Sequence, residues 1–171
     1  ESFVQITATL VKELRELSGS GIMDCKRALE ETGGDVEKAE AVLRSKGIAL
    51  AMKKSARATN EGVIESYVHS GGRIASMVEL NCETDFVSRT TEFKELAHNL
   101  AMQIAAMAPQ YVDQTELAED SGENPEEVCL LQQPYIKDPG RVIEDLVTDL
   151  TARIGENVRV KRFARFELGE E

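Results

Sequence analysis

Asn81-Cys82-Glu83-Thr84-Asp85-Phe86-Val87 joins two different patterns. Before it, Ile74, Val78 and Leu80 alternate as in a half-buried strand; after it, from about Thr91, apolar residues repeat at helical spacing. A polar turn between such elements belongs at the surface, yet Phe86 lies in its middle. A large ring there, beside Thr84 and Asp85, is either a cap folded back on the core or a wedge offered to a partner. On these residues alone the cap is favoured, because aromatic side chains are more often buried than displayed.

The chain has 171 residues, enough for one domain or for a small domain attached to a larger one. With 20 Lys+Arg against 31 Asp+Glu, its net charge is −11. So acidic a chain is repelled by nucleic acid and by anionic membranes, and a nucleic-acid role would need a local basic patch. Cys25, Cys82 and Cys129 are odd in number and widely spaced, which fits neither a disulfide framework nor a zinc site and suggests a reducing compartment. No apolar run is long enough to cross a membrane, and Glu1 to Thr9 lack the order of a signal peptide, so a soluble chain is expected.

From the amino end, Leu10, Val11, Leu14 and Leu17 predict an amphipathic helix over Thr7 to Leu17. Ser18-Gly19-Ser20-Gly21 breaks it. A second helix, Ile22 to Thr32, is expected to bury Met23, Ala28 and Leu29 and to end at Gly33-Gly34. Asp35 caps a third, with Val36, Ala39, Val42 and Leu43 inward and a stop at Gly47. The result is a three-helix bundle over 1–48, of the size of a docking module. Residues 49–60 read as a connecting helix or linker, and Lys53, Lys54 and Arg57 as a solvated face, since no aromatic residues are interleaved for base stacking.

Residues 61–171 read as an α+β core. Gly62 to His69 and Arg73 to Asn81 are strands joined through Ser70-Gly71-Gly72, and Asn157 to Leu168 is a third. In that third strand Val158, Val160, Ala164, Phe166 and Leu168 share one parity, with an irregularity expected at Arg162 and Phe163. Between the strands lie a helix marked by Phe93, Leu96, Ala97, Leu100 and Ile104, an acidic exposed loop over Gln110 to Glu127, an extended stretch around Pro134, and a helix over Val142 to Ile154. The fold class expected is α+β, a bundle followed by a three-stranded antiparallel sheet packed with helices.

Chemistry is sparse. Cys82 with His69 or His98 could be imagined as a thiol nucleophile, but Cys82 shares the parity of Val78 and Leu80 and should point inward. No phosphate-cradling glycine loop is present, so neither direct nucleotide binding nor another cofactor is expected. The histidines lack metal-ligand spacing. Arg159, Lys161, Arg162 and Arg165 could touch RNA, although a solvated strand face is the simpler reading and nucleic acid is not an expected partner.

Cys82-Glu83-Thr84-Asp85-Phe86-Val87 resembles the signature of the elongation factor Ts family. So do Leu10 to Glu16, Met23 to Glu30, Gln133 to Pro139, Ile154-Gly155-Glu156-Asn157 and Arg165 to Glu170, in the family's order and over nearly the whole chain. The resemblance implies a guanine-nucleotide exchange factor, not an enzyme of covalent chemistry. Its partner would be elongation factor Tu, GDP-bound and nucleotide-free. It implies that Phe86 enters an apolar pocket of that partner while Thr84, Asp85 and Val87 help to disturb its Mg²⁺ site. Arg15, Ile22 and Met23 would touch the partner's nucleotide domain, with His69 and Ile154 near the contact. Ile22 stands where the family usually has methionine; on the residues alone, Ile22 and Met23 would simply close the bundle. Many relatives carry a second core repeat or a helical hairpin near the acidic loop, which is short here. A homodimer presenting two cores stays open, as does a bacterial cytoplasmic, plastid or mitochondrial setting.

Overall fold

Thr7 and Asp35 open two of the first three helices by the same device, a side-chain oxygen accepting from a backbone N–H three residues on: Leu10 N at 3.3 Å and Lys38 N at 3.1 Å. In the computed structural model, which describes residues 5–170, these helices are α1 (Ala8–Ser18), α2 (Ile22–Glu31) and α3 (Val36–Lys54). Leu14, Cys25, Ala28, Leu29, Ala39 and Leu43 form their core. Residues 1–4, part of the stretch read for a signal peptide, and Glu171, the last residue of the expected core segment, lie outside the described residues.

Three expectations for the bundle are corrected. Met23 is exposed, not buried. Cys25, Ala28 and Leu29 define the inner face of α2, and two residues of helix turn Met23 by roughly 200° from Cys25. Leu17 is also exposed, at the edge of the α1 stripe, while Ser18 beside it donates to Leu14 O at 2.7 Å. Finally, α3 does not stop at Gly47 but continues to Lys54. Gly47 serves close helix packing instead of a cap: a Cβ there would lie 3.3 Å from Ala152 Cβ on α7 (Ile143–Ile154). Arg44 adds an ion pair to Asp145 at 2.9 Å, so α3 is anchored on the second half of the chain.

That half is built on an antiparallel sheet of β1 (Glu61–Val68), β2 (Ile74–Cys82) and β5 (Arg159–Glu167), in the order β1-β2-β5. Helices α4 (Asp85–Ser88), α5 (Thr91–Met107) and α6 (Pro125–Val128) follow β2, and a small hairpin of β3 (Pro134–Tyr135) and β4 (Asp138–Val142) precedes α7. The hairpin stands where only an extended stretch was expected. It is tied to α5 by the buried Gln103, which donates to Pro134 O at 3.0 Å and accepts from Ile136 N at 2.9 Å. The fold is therefore α+β. Val78, Leu80, Phe93, Leu100, Ile104, Leu130, Ile143 and Val160 are among the residues of its main core, between the sheet and the helices.

The third strand breaks its expected parity. Glu79 faces Arg162 while Leu80 faces Val160, so Lys161 is the extra residue of a bulge. Beyond it Phe163, opposite Val78, takes the helix-facing side, whereas Phe166 and Leu168, expected to share one parity with Val158 and Val160, are exposed. In β1 it is Val63 and Tyr67 that pack inward. Ile64, Val68, Met77 and Phe166 are left on the uncovered face of the sheet.

Candidate functional site

Cys82 closes β2 inside the core, and the chain then turns sharply into α4. Thr84 precedes this short helix in an extended conformation, φ −127° and ψ 156°. Ser88 donates to Asp85 O at 3.0 Å and Thr90 to Val87 O at 2.8 Å, so side-chain hydroxyls close the turn. Successive helical residues point about 100° apart, and in this short helix the two side chains part ways. Val87 packs on the main core; Phe86 is 81% exposed. The cap favoured on sequence grounds is thus Val87, and the ring stands free. Asp85 lies beside it, paired with Arg89 at 2.9 Å on the surface.

The turn is held from a distance. Glu83 N–H and Thr84 N–H donate to Glu156 Oε2 at 3.1 and 3.0 Å, and the Thr84 hydroxyl donates to Glu156 Oε1 at 2.6 Å. In return Asn157 N–H donates to Glu83 Oε1 at 2.7 Å. Asn157 Nδ2 reaches Ser55 O and Arg57 O at 3.2 and 2.8 Å, and Lys54 Nζ reaches Gly155 O at 2.6 Å. Gly155 ends α7 at φ 76°, a left-handed conformation that glycine adopts cheaply and that redirects the chain toward the turn. Glu156, Asn157 and Lys54 escaped sequence reasoning as site residues because their partners are remote; only the resemblance of Ile154 to Asn157 to a family segment marked the stretch.

Arg15, Ile22 and Met23 are all exposed, so the closing role for Ile22 and Met23 is set aside. Their edge of the bundle approaches the motif's side of the core through Arg153. The Arg153 side chain lies 3.2 Å from where a Cβ on Gly19 would sit, and it donates to Glu92 Oε1 at the start of α5 at 3.2 Å. Ile154 packs half-buried on the main core, two residues before Glu156. His69 is not brought near. It sits at the β1–β2 turn, the far end of β2 from the motif, with Nδ1 3.0 Å from Tyr67 Oη.

The electrostatics leave little reactive chemistry. Burial, with the Glu156 charge adding to it, pushes the Cys82 thiol up to about 11, so it stays protonated and is a poor nucleophile near neutral pH. Among the described residues no group of three His, Cys, Asp or Glu side chains is arranged to hold a metal ion, and no helix is long and apolar enough to cross a membrane. The basic residues considered for RNA are largely engaged. Arg162 and Lys161 pair with Glu79 at 2.7 and 3.8 Å; Arg165 pairs with Glu167 and Glu170 and donates to Ala105 O. Lys54 is buried on Gly155, and Arg57 faces Glu83 at 3.6 Å.

An exposed aromatic with an acidic neighbour on a braced turn, beside a bundle with an exposed apolar edge, is an arrangement suited to engaging another protein, carried on an α+β fold. Residues 1–127 match the family described as "Elongation factor TS". Beyond that segment, proteins named elongation factor Ts align along almost the whole chain. That of Carboxydothermus hydrogenoformans is 48% identical over 96% of this chain and 90% of its own length. Those of Thermotoga neapolitana and Finegoldia magna are each 46% identical, over 98% and 97% of this chain and 100% and 91% of their own lengths. The chain belongs to the elongation factor Ts family, a family of translation elongation factors. The Carboxydothermus alignment runs over 195 positions against 171 residues here, so at least 24 of its positions have no counterpart in this chain.

Proposed function

We propose that this translation factor is a guanine-nucleotide exchange factor that binds elongation factor Tu, GDP-bound or nucleotide-free, and promotes GDP release without covalent chemistry. The observation that carries the reading is Phe86, four-fifths exposed on a turn whose backbone is held from behind. In this reading Phe86 enters an apolar pocket of the partner, while Thr84, Asp85 and Val87 bring the turn against the network around Mg²⁺ and the phosphates. Residues 1–48 dock through Arg15, Ile22 and Met23, residues 49–60 connect, and residues 61–171 carry the motif, with Ile154 beside it and His69 as a more distant contact. The coupling is reciprocal: a factor that prefers the nucleotide-free partner weakens nucleotide binding by the factor that nucleotide weakens its own. Burying one phenylalanine is worth roughly 1.5–3 kcal/mol, one to two decades, so the bundle must supply further affinity. The bacterial origin of the relatives supports a cytoplasmic setting over a plastid or mitochondrial one.

The test is the release rate of fluorescent GDP from elongation factor Tu with the parent chain and with Phe86→Ala. Acceleration by the parent and far less by the variant is expected; equal rates would refute the wedge. An RNA-binding role has lost most of its free cations to ion pairs, and it would be revived only by RNA binding that collapses with salt.

The uncovered sheet face favours a second copy of the chain as a further partner. Ile64, Val68, Met77 and Phe166, with Leu168 just beyond β5, are exposed apolar residues, and a two-fold pair needs to bury about 1,200 Å² to reach the lower end of a specific interface. A two-fold axis sets apolar against apolar on such a patch. Sedimentation at micromolar concentration is expected to give a dimer that Phe166→Asp converts to a folded monomer; a monomeric parent would refute it.

A further inference from the structure

The ring of Phe86 gains little from its surroundings, so its direction is set by the backbone of residues 83–88. What fixes that backbone comes from the other end of the chain. Three donors of the turn ahead of Phe86, the N–H groups of Glu83 and Thr84 and the Thr84 hydroxyl, converge on one carboxylate, that of Glu156. Resting on the exchange reading above, we propose that Glu156 is a positioning residue of the exchange motif, a brace that presents Phe86 and Asp85 in the orientation the partner takes.

Three features make this more than a structural hydrogen bond. A carboxylate that accepts two N–H groups on one oxygen and a hydroxyl on the other fixes both position and rotation of the peptide plane at Thr84, which a single bond would leave free. The brace is itself anchored, since Asn157 N–H returns a bond to Glu83 and Lys54 Nζ holds Gly155 O. Lys54 is the last residue of α3, the helix shared with the bundle. The bundle and the motif are thereby referred to one point, so a partner touching both meets a preset spacing. An unbraced turn would have to be ordered in the step that seats Phe86 after the bundle has docked, so the penalty for fixing the backbone of one residue, about tenfold, falls on the maximal rate and is not recovered at saturation.

The conservative variant separates shape from mere presence. In Glu156→Gln the amide oxygen can still accept both N–H groups, and its NH₂ can donate to the Thr84 oxygen, a hydroxyl that accepts as well as donates. Glu156→Ala loses all three bonds. The expected result for Glu156→Ala is a maximal GDP release rate, at saturating factor, lowered about tenfold. The backbone amides of Glu83 and Thr84 should exchange hydrogen faster in this variant, and Glu156→Gln should restore both readouts most of the way. On a Phe86→Ala background, Glu156→Ala should add a much smaller loss, because the brace acts mainly through the ring it presents and only the placement of Asp85 remains to be lost.

An unchanged maximal rate in Glu156→Ala, or a loss of equal size with and without Phe86, would overturn the proposal. Should Glu156→Ala fail to fold, Thr84→Val removes only the hydroxyl donor; a smaller loss in the same direction supports the brace, and none overturns it. Should the parent itself fail to accelerate release, the exchange reading falls. Amide protection then decides the brace alone: faster exchange in Glu156→Ala and protection kept in Glu156→Gln support it, whereas no difference overturns it.

Discussion

Replacing Phe86 by alanine separates two costs that sequence reasoning cannot tell apart. Full burial of a phenylalanine side chain is worth roughly 1.5–3 kcal/mol. In the free protein Phe86 is 81% exposed, so only about one-fifth of that, on the order of 0.3–0.6 kcal/mol, contributes to folding. For a chain of this size such a loss moves the thermal midpoint by about 1–2 °C. The remaining four-fifths, roughly 1.2–2.4 kcal/mol, is available to a partner, corresponding to about 10- to 60-fold in affinity for the nucleotide-free complex. Two assays on the same sample decide the matter: a melting curve by circular dichroism, and a titration of GDP release from elongation factor Tu. Near-native melting with release weakened by an order of magnitude or more is expected. A midpoint lowered by about 10 °C would mean that the ring supports the core in solution, and unchanged release would mean that it meets no pocket.

Other sites test the fold around the motif. A Cβ on Gly62 would lie 2.2 Å from Leu80 O and 2.8 Å from Asn81 Cα, backbone atoms that can yield only by parting β1 from β2. Gly62→Ala should therefore cost on the order of 3 kcal/mol or more and lower the thermal midpoint by about 6–12 °C; a drop below about 3 °C would contradict the close approach. The Cys82 thiol is raised from its ordinary value to about 11, so the folded state holds its proton more tightly than the unfolded chain. Its contribution is fully present below pH 9 and is lost as pH rises toward 11. Urea unfolding at pH 8 and pH 10.5 should show the parent losing on the order of 1–2 kcal/mol more than Cys82→Ala over that interval; parallel losses would refute the assignment.

Local signals carried well. The cap at Asp35 and the apolar spacing of α1, α5 and α7 act within three or four residues, and the corresponding helices form where these signals stand. Failures occur where a neighbour distant in sequence changes the outcome. Gly47 resembles a stop, but the Ala152 methyl needs the space its missing Cβ leaves, and α3 runs on. The parity of β5 read correctly up to Val160 and then inverted, because pairing with β2 admits one extra residue at Lys161. The β3–β4 hairpin was hidden for a related reason: its strands are too short to show alternation, and Gln103 holds it from another helix.

By itself the sequence determined the long helices and the three strands of the main sheet, the acidic character and, through its short motifs in order, the family resemblance. All of these depend on residue type and on spacing along one chain. Which way Phe86 faces, and what holds its turn, only the tertiary structure decided. The choice between Phe86 and Val87 at the core depends on where α4 meets the sheet and α5, and the carboxylate that fixes Thr84 arrives from 72 residues away. A hydrogen bond across that separation leaves no periodicity in the sequence, because its two ends are brought together only by the packing of everything between them.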